Sequence, residues 1–99
     1  MLTITAKELK QLIQNNNAPI LIDVREQFEH DAFNIGGSLI PLQTIMSNMN
    51  SIPKSVPVVI YCAKGIRSTI AIQRLHDKFG YTNLINLAGG MQAWCNLLQ

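Results

Sequence analysis

The sequence predicts an α/β fold built on a central, mostly parallel sheet with helices on both faces, and three observations carry that expectation. The apolar runs Ile20-Leu21-Ile22-Asp23-Val24 and Val58-Val59-Ile60-Tyr61 are near-continuous rather than alternating, which suits parallel strands covered on both sides. Segments with helical spacing separate the strand-like runs, and that alternation implies strand–helix–strand units. The chain has 99 residues, 47% apolar and 14% charged. That is enough for one hydrophobic core, and one domain is expected over residues 1–99.

The elements follow in order. Thr5-Ala6-Lys7-Glu8 has the form of a capping box, with Ile4 and Leu9 at the two staple positions. Leu9, Leu12 and Ile13 continue a helix that Asn15-Asn16-Asn17 ends. Pro19 precedes the first buried strand. The polar stretch from Arg25 to Asp31 reads as a short helix, Gly36-Gly37 as a turn, and Ser38-Leu39-Ile40 as a brief strand ended by Pro41. Leu42, Ile45, Met46 and Met49 recur at helical spacing and predict a helix over 42–49.

Pro53 and Pro57 bracket a connector to the second buried strand. A short loop over 62–67 leads to a helix opened by Ser68, with Ala71, Ile72, Leu75 and Phe79 on its inner face. His76 and Lys78 suit the negative end of that helix, and Gly80 supplies the stop. Leu84-Ile85-Asn86-Leu87 is another strand and Gly89-Gly90 a turn. Met91, Trp94, Cys95 and Leu98 form the apolar face of a last helix.

Composition removes several classes of function. A net charge of +2 is too small to argue for nucleic acid or an anionic membrane surface as partner. No apolar run approaches the roughly 20 residues of a membrane helix, and the N-terminus does not read as a secretory signal. Two cysteines, Cys62 and Cys95, do not make a disulfide framework, so a reducing, cytoplasmic setting is expected. His30, Asp31 and His76 lack metal-ligand spacing, and no metal site is expected. The glycine pairs form no dinucleotide fingerprint.

The chemistry concentrates at the end of the second buried strand. In open α/β sheets ligands bind at the carboxyl ends of strands, so Cys62 is expected at the rim rather than in the core. Residues 63 to 68 contain no proline, and each has an amide hydrogen to offer. Gly65 lets the loop curl. A curled loop running into a helix N-terminus focuses amides and a positive dipole on one spot. An anion belongs there, and the Cys62 thiolate is the candidate, its pKa drawn below the free value of roughly 8.5. Lys64 and Arg67 add positive charge, and the Arg67 fork suits an oxyanion. Cys95 shares its face with Met91 and Leu98 and reads as a packed thiol rather than a partner for Cys62. Asp23 interrupts an apolar strand and, if buried, needs a hydrogen-bonded partner.

Cys62-Ala63-Lys64-Gly65-Ile66-Arg67-Ser68 resembles the active-site loop of rhodanese domains, where a cysteine is followed by two variable residues, a glycine, one more residue and Arg-Ser. Asp23-Val24-Arg25-Glu26 resembles the family's Asp-x-Arg signature, Ile35-Gly36-Gly37 through Ile40-Pro41-Leu42 its Gly-small and Ile-Pro segment, and Leu87-Ala88-Gly89-Gly90-Met91 with Trp94 its C-terminal element. The segments keep the family's order along nearly the whole chain. Phe33-Asn34 departs from the His-Ile pair that many members carry, and His30 is given no role. Cys95 also lies outside the pattern.

The resemblance implies a rhodanese-like, five-stranded parallel sheet and a sulfurtransferase. Cys62 would take the sulfane sulfur of a small anionic donor such as thiosulfate, release sulfite and hold a persulfide among the loop amides of Ala63, Lys64, Gly65, Ile66, Arg67 and Ser68. A thiophilic acceptor (cyanide, a thiol or a protein) would then remove it. Kinetics would be ping-pong, no cofactor is required, and Asp23 and Arg25 would support the structure. Two rivals stay open. One is a sulfur-carrier or regulatory module fed by a protein partner. The other is a cysteine phosphatase, whose loop is one residue longer than the stretch Ala63 to Ile66 between Cys62 and Arg67; a shorter ring suits a single sulfur atom better than a tetrahedral phosphate.

Overall fold

The computed structural model describes residues 1–98. In chain order the elements are β1 (Leu2–Ile4), α1 (Ala6–Gln14), β2 (Ile20–Asp23), α2 (Gln27–Ala32), β3 (Ser38–Leu39), β4 (Val58–Tyr61), α3 (Ile66–Phe79), β5 (Leu84–Leu87) and α4 (Gly90–Leu97). The strands form one five-stranded sheet in the order β1-β5-β4-β2-β3, with every pair parallel.

The buried strand β4 shows why its sequence is apolar throughout. Val58, Ile60 and Cys62 face one core, which α3 closes with Ala71, Ile72 and Leu75. Val59 and Tyr61 face the other, which α1 and α4 close with Leu9, Met91 and Trp94. A strand covered on both faces has no solvent side to make polar. Each fully buried aliphatic side chain here contributes about 1.5–3 kcal/mol.

The helix boundaries follow from local chemistry. The Thr5 hydroxyl accepts the Glu8 amide at 3.1 Å, and the Glu8 carboxylate accepts the Thr5 amide at 2.9 Å, so the expected capping box starts α1. At its other end Asn16 adopts a positive φ of 59° and breaks the helix.

Three expectations are corrected. No helix runs over 42–49; short 3-10 turns at Leu42–Thr44 and Met49–Ser51 stand there. Thr44, Ser47 and Asn48 side chains donate to the carbonyls of Pro41 and Thr44, and such bonds compete with the helical pattern. The helical spacing nonetheless marked core residues, since Ile45 is buried and Leu42, Met46 and Met49 pack against the same core. Helix α3 starts at Ile66 and not at Ser68, because Gly65 takes a left-handed φ of 97° and caps it. Leu98 is exposed and lies past α4, whose inner face is Gly90, Met91 and Trp94 with Leu97 partly buried. Finally, β1 is a short edge strand that the sequence pattern did not announce.

Candidate active site

The register of the sheet gathers the site. Asp23 pairs across from Tyr61, and Ile60 from Asn86. The carboxyl ends of β2, β4 and β5 therefore bring Asp23, Cys62 and Asn86 to one edge, where α3 also begins.

Cys62 follows β4 directly. Its sulfur accepts the Gly65 amide at 3.1 Å and the Ser68 amide at 3.4 Å, and the Ser68 hydroxyl lies 3.4 Å away. Burial pushes the thiol pKa up. The bonds from Ser68 and from the Gly65 and Lys64 amides outweigh that effect and hold it below its ordinary value. The loop thus favours the thiolate by hydrogen bonding to the charged form.

The rim position expected for Cys62 needs correcting. The residue is at the strand's carboxyl end, as expected, yet it is only 1% exposed and belongs to the α3-side core. Helix α4 is one reason. Its first free amides, from Met91 and Gln92, bond the carbonyls of Cys62 and Ala63 at 2.8 and 3.0 Å. Gly90 makes this approach possible: a Cβ there would lie 2.3 Å from the Cys62 carbonyl oxygen. What reads in sequence as a simple glycine turn is the point where α4 clamps the loop.

Asp23 is fully buried, and its partners are present. The Arg25 side chain bonds both carboxylate oxygens at 2.8–3.1 Å, and the Arg25 amide adds a bond at 3.0 Å. His30 Nδ1 is 2.9 Å from the same carboxylate, which can only accept, so the nitrogen donates. Burial pushes the Asp23 carboxyl up, but the bonds from Arg25 and His30 and the Arg25 charge hold it below the usual range. Arg25 also reaches the Phe33 carbonyl at 2.6 Å and lies over the Tyr61 ring. The cluster ties β2 to α2 and the following loop. His30, given no role from sequence, is a member of it.

Arg67 differs most from its expected part. Its two terminal nitrogens bond the Glu29 carboxylate at 2.7 and 2.9 Å. The fork that would meet an oxyanion is held by α2. Lys64 and Ile66 are exposed beside it. Ser68 is fully buried and donates its hydroxyl to Asn86 Oδ1 at 2.5 Å. Sequence reading missed Asn86, Glu29 and the clamp at Gly90. Asn86 carried a signal: a single amide inside an apolar strand, which needs a partner when buried.

A family model, the rhodanese-like domain, matches residues 5–97. The chain belongs to the rhodanese-like family. A Staphylococcus aureus rhodanese-like domain protein of known structure is 35% identical and superposes with a TM-score of 0.85, over 95% of this chain and 91% of that one. A protein of Allochromatium vinosum named "Sulfurtransferase" is 36% identical over 92 residues, 92% of this chain and 85% of its own. The Mycobacterium tuberculosis protein named "Probable adenylyltransferase/sulfurtransferase MoeZ" is 35% identical over 100 residues, 98% of this chain. The chain spans only 25% of that relative's length. The all-parallel sheet observed here is thus the rhodanese-like fold that the motifs implied, and the Cys62 loop occupies the end of its middle strand.

Proposed function

We propose that this rhodanese-like chain, acting as one domain, moves sulfane sulfur through a Cys62 persulfide. The observation that carries the reading is the convergence of the Gly65 and Ser68 amides on the Cys62 sulfur. Thiolate is the nucleophilic form of cysteine, and such donors stabilise it. The likeness to proteins named sulfurtransferase supports the same chemistry.

In the first half-reaction the Cys62 thiolate attacks the sulfane sulfur of thiosulfate. An S–S bond to Cys62 forms, the S–S bond of thiosulfate breaks, and sulfite leaves with that bond's electron pair. The persulfide carries one negative charge, which the amides of residues 63–68 and the start of α3 can hold. In the second half-reaction cyanide or a thiolate attacks the outer sulfur, and the Cys62 thiolate leaves. Lys64 guides the anionic donor, and Asp23 with Arg25 fixes the neighbouring wall. The four residues between Cys62 and Arg67 make a ring sized for sulfur rather than phosphate. Both cysteines are free, which suits a reducing cytoplasm.

A protein donor in place of thiosulfate is a second reading, and one observation favours it. The Arg67 fork is paired with Glu29 and Cys62 is nearly closed to solvent, so a small anion meets only Lys64 as a free cation on the loop. Initial rates with thiosulfate and cyanide varied together test the first reading. Parallel double-reciprocal lines are expected from a persulfide intermediate. No turnover with thiosulfate, together with sulfur uptake from a cysteine desulfurase charged with cysteine, would replace it with the second.

A further inference from the structure

Cys62, Ser68 and Asn86 form a buried polar chain at the edge of the sheet, 1%, 0% and 8% exposed. Its hydrogens do not suffice for both of its contacts. The Ser68 hydroxyl has one proton. With Asn86 Oδ1 accepting that proton at 2.5 Å, the hydroxyl turns only a lone pair toward the Cys62 sulfur 3.4 Å away. A lone pair suits an S–H and opposes a thiolate. Yet the amides of Gly65 and Ser68 on the same sulfur suit the thiolate.

The Asn86 side chain can resolve the conflict. Its amide nitrogen lies on the Gly65 side, 3.7 Å from where a Cβ on that glycine would stand. A half-turn of the amide exchanges nitrogen and oxygen with almost no change of shape. The nitrogen then donates to Ser68 Oγ, and the hydroxyl proton is free for the sulfur.

We propose that Asn86 is a positioning residue for the Cys62 sulfur, acting through Ser68: the orientation of its amide decides whether the Ser68 hydroxyl proton is held by Asn86 or donated to the sulfur. The proposal deepens the persulfide reading, since it assigns a device that makes Cys62 reactive. The amide accepts while Cys62 is a thiol and donates while it is a thiolate.

The test reads ionisation of Cys62 and needs no sulfur donor, so its failure is distinct from failure of the persulfide reading. In a Cys95→Ser background, iodoacetamide alkylation of Cys62 is followed against pH. The charged groups on the surrounding elements, Lys64 and Arg67 beside the loop and Asp23, Arg25 and Glu29 on β2 and α2, are unchanged in every variant compared. Asn86→Leu removes the amide that donates to Ser68 Oγ beside the thiolate, and that charge-assisted relay is stronger than the neutral bond it replaces, so the midpoint should rise by about one pH unit, a tenfold loss of thiolate at a fixed pH below it. Ser68→Ala should raise the midpoint. Asn86→Leu added to Ser68→Ala should move it no further. A fall of the midpoint in Asn86→Leu, no shift at all, or an equal shift in both backgrounds would overturn the proposal. Should Asn86→Leu not fold, the wild-type side-chain amide resonances of Asn86 are followed through the same titration. They should move with the Cys62 midpoint and stay still in Cys62→Ser. Resonances that ignore the Cys62 midpoint would overturn it equally.

Discussion

Arg67 on α3 and Glu29 on α2 face each other as a two-bonded fork, at 2.7 and 2.9 Å. The pair sits beside the Cys62 loop, and in the persulfide reading it sets the charge that an incoming donor meets. A guanidinium already paired with a carboxylate presents little net charge to an anion. Glu29 and Arg67 are part-exposed, so solvent screens the pair and its share of stability is modest; its larger influence falls on binding.

Glu29→Gln should therefore lower the KM for thiosulfate, by about two- to fivefold given the modest strength of part-exposed pairs, with kcat little changed. Steady-state kinetics at low ionic strength check this. A raised KM would mean that Glu29 holds Arg67 in its productive place.

Asp23→Ala should damage the fold more than the chemistry. It leaves Arg25, 6% exposed, without its charge partner, and breaking a buried pair from one side costs about 3–5 kcal/mol. Denaturant unfolding reads the stability, and sulfur transfer is assayed well below the melting temperature. Unchanged unfolding with lost activity would place Asp23 in the chemistry instead.

Acid should destabilise the protein through both carboxylates. The hydrogen bond from Arg67 outweighs burial and, with the Glu26 amide and the Arg67 and Arg25 charges, brings Glu29 from 4.5 to about 2. Asp23 is also lowered, from 3.8. A depressed carboxyl gives stability that is complete above its unfolded value and lost as pH falls toward its folded one. Stability should hold above about pH 5 and decline toward about pH 2. In Glu29→Gln the part of the decline that begins near 4.5 should be smaller. Urea midpoints across that range check the sign.

Gly90→Ala should cut activity by at least about tenfold, since small displacements at a reacting group are costly. Its Cβ would stand 2.3 Å from the Cys62 carbonyl oxygen and 2.8 Å from the Ala63 carbonyl, at a φ of +56°. The helix must retreat or the loop must shift. Thiosulfate turnover and a melting curve separate lost geometry from lost folding, and full activity would show that the clamp tolerates slack.

Much of this was legible in the sequence, for physical reasons that differ by element. β2 and β4 showed as apolar runs because both faces of the sheet are covered. The Cys62 loop showed because Gly65 and the absence of proline fix where amides can point. β1 did not show, since a three-residue edge strand buries too little to leave a pattern. The turn region after Pro41 misled because core contacts at Leu42, Ile45, Met46 and Met49 share helical spacing without a helix. Glu29 and Asn86 were hidden for another reason. Each meets its partner across the fold, 38 and 18 residues away in sequence, and only the packing of α2 and β5 against α3 brings them there.

The most direct measurement is intact mass after incubation with thiosulfate, for the wild type and for Cys62→Ser. The wild type alone should gain the mass of one sulfur atom, and cyanide should remove it. A wild type that gains nothing from thiosulfate or from a charged desulfurase, or a gain that survives in Cys62→Ser, would contradict a persulfide carried on Cys62.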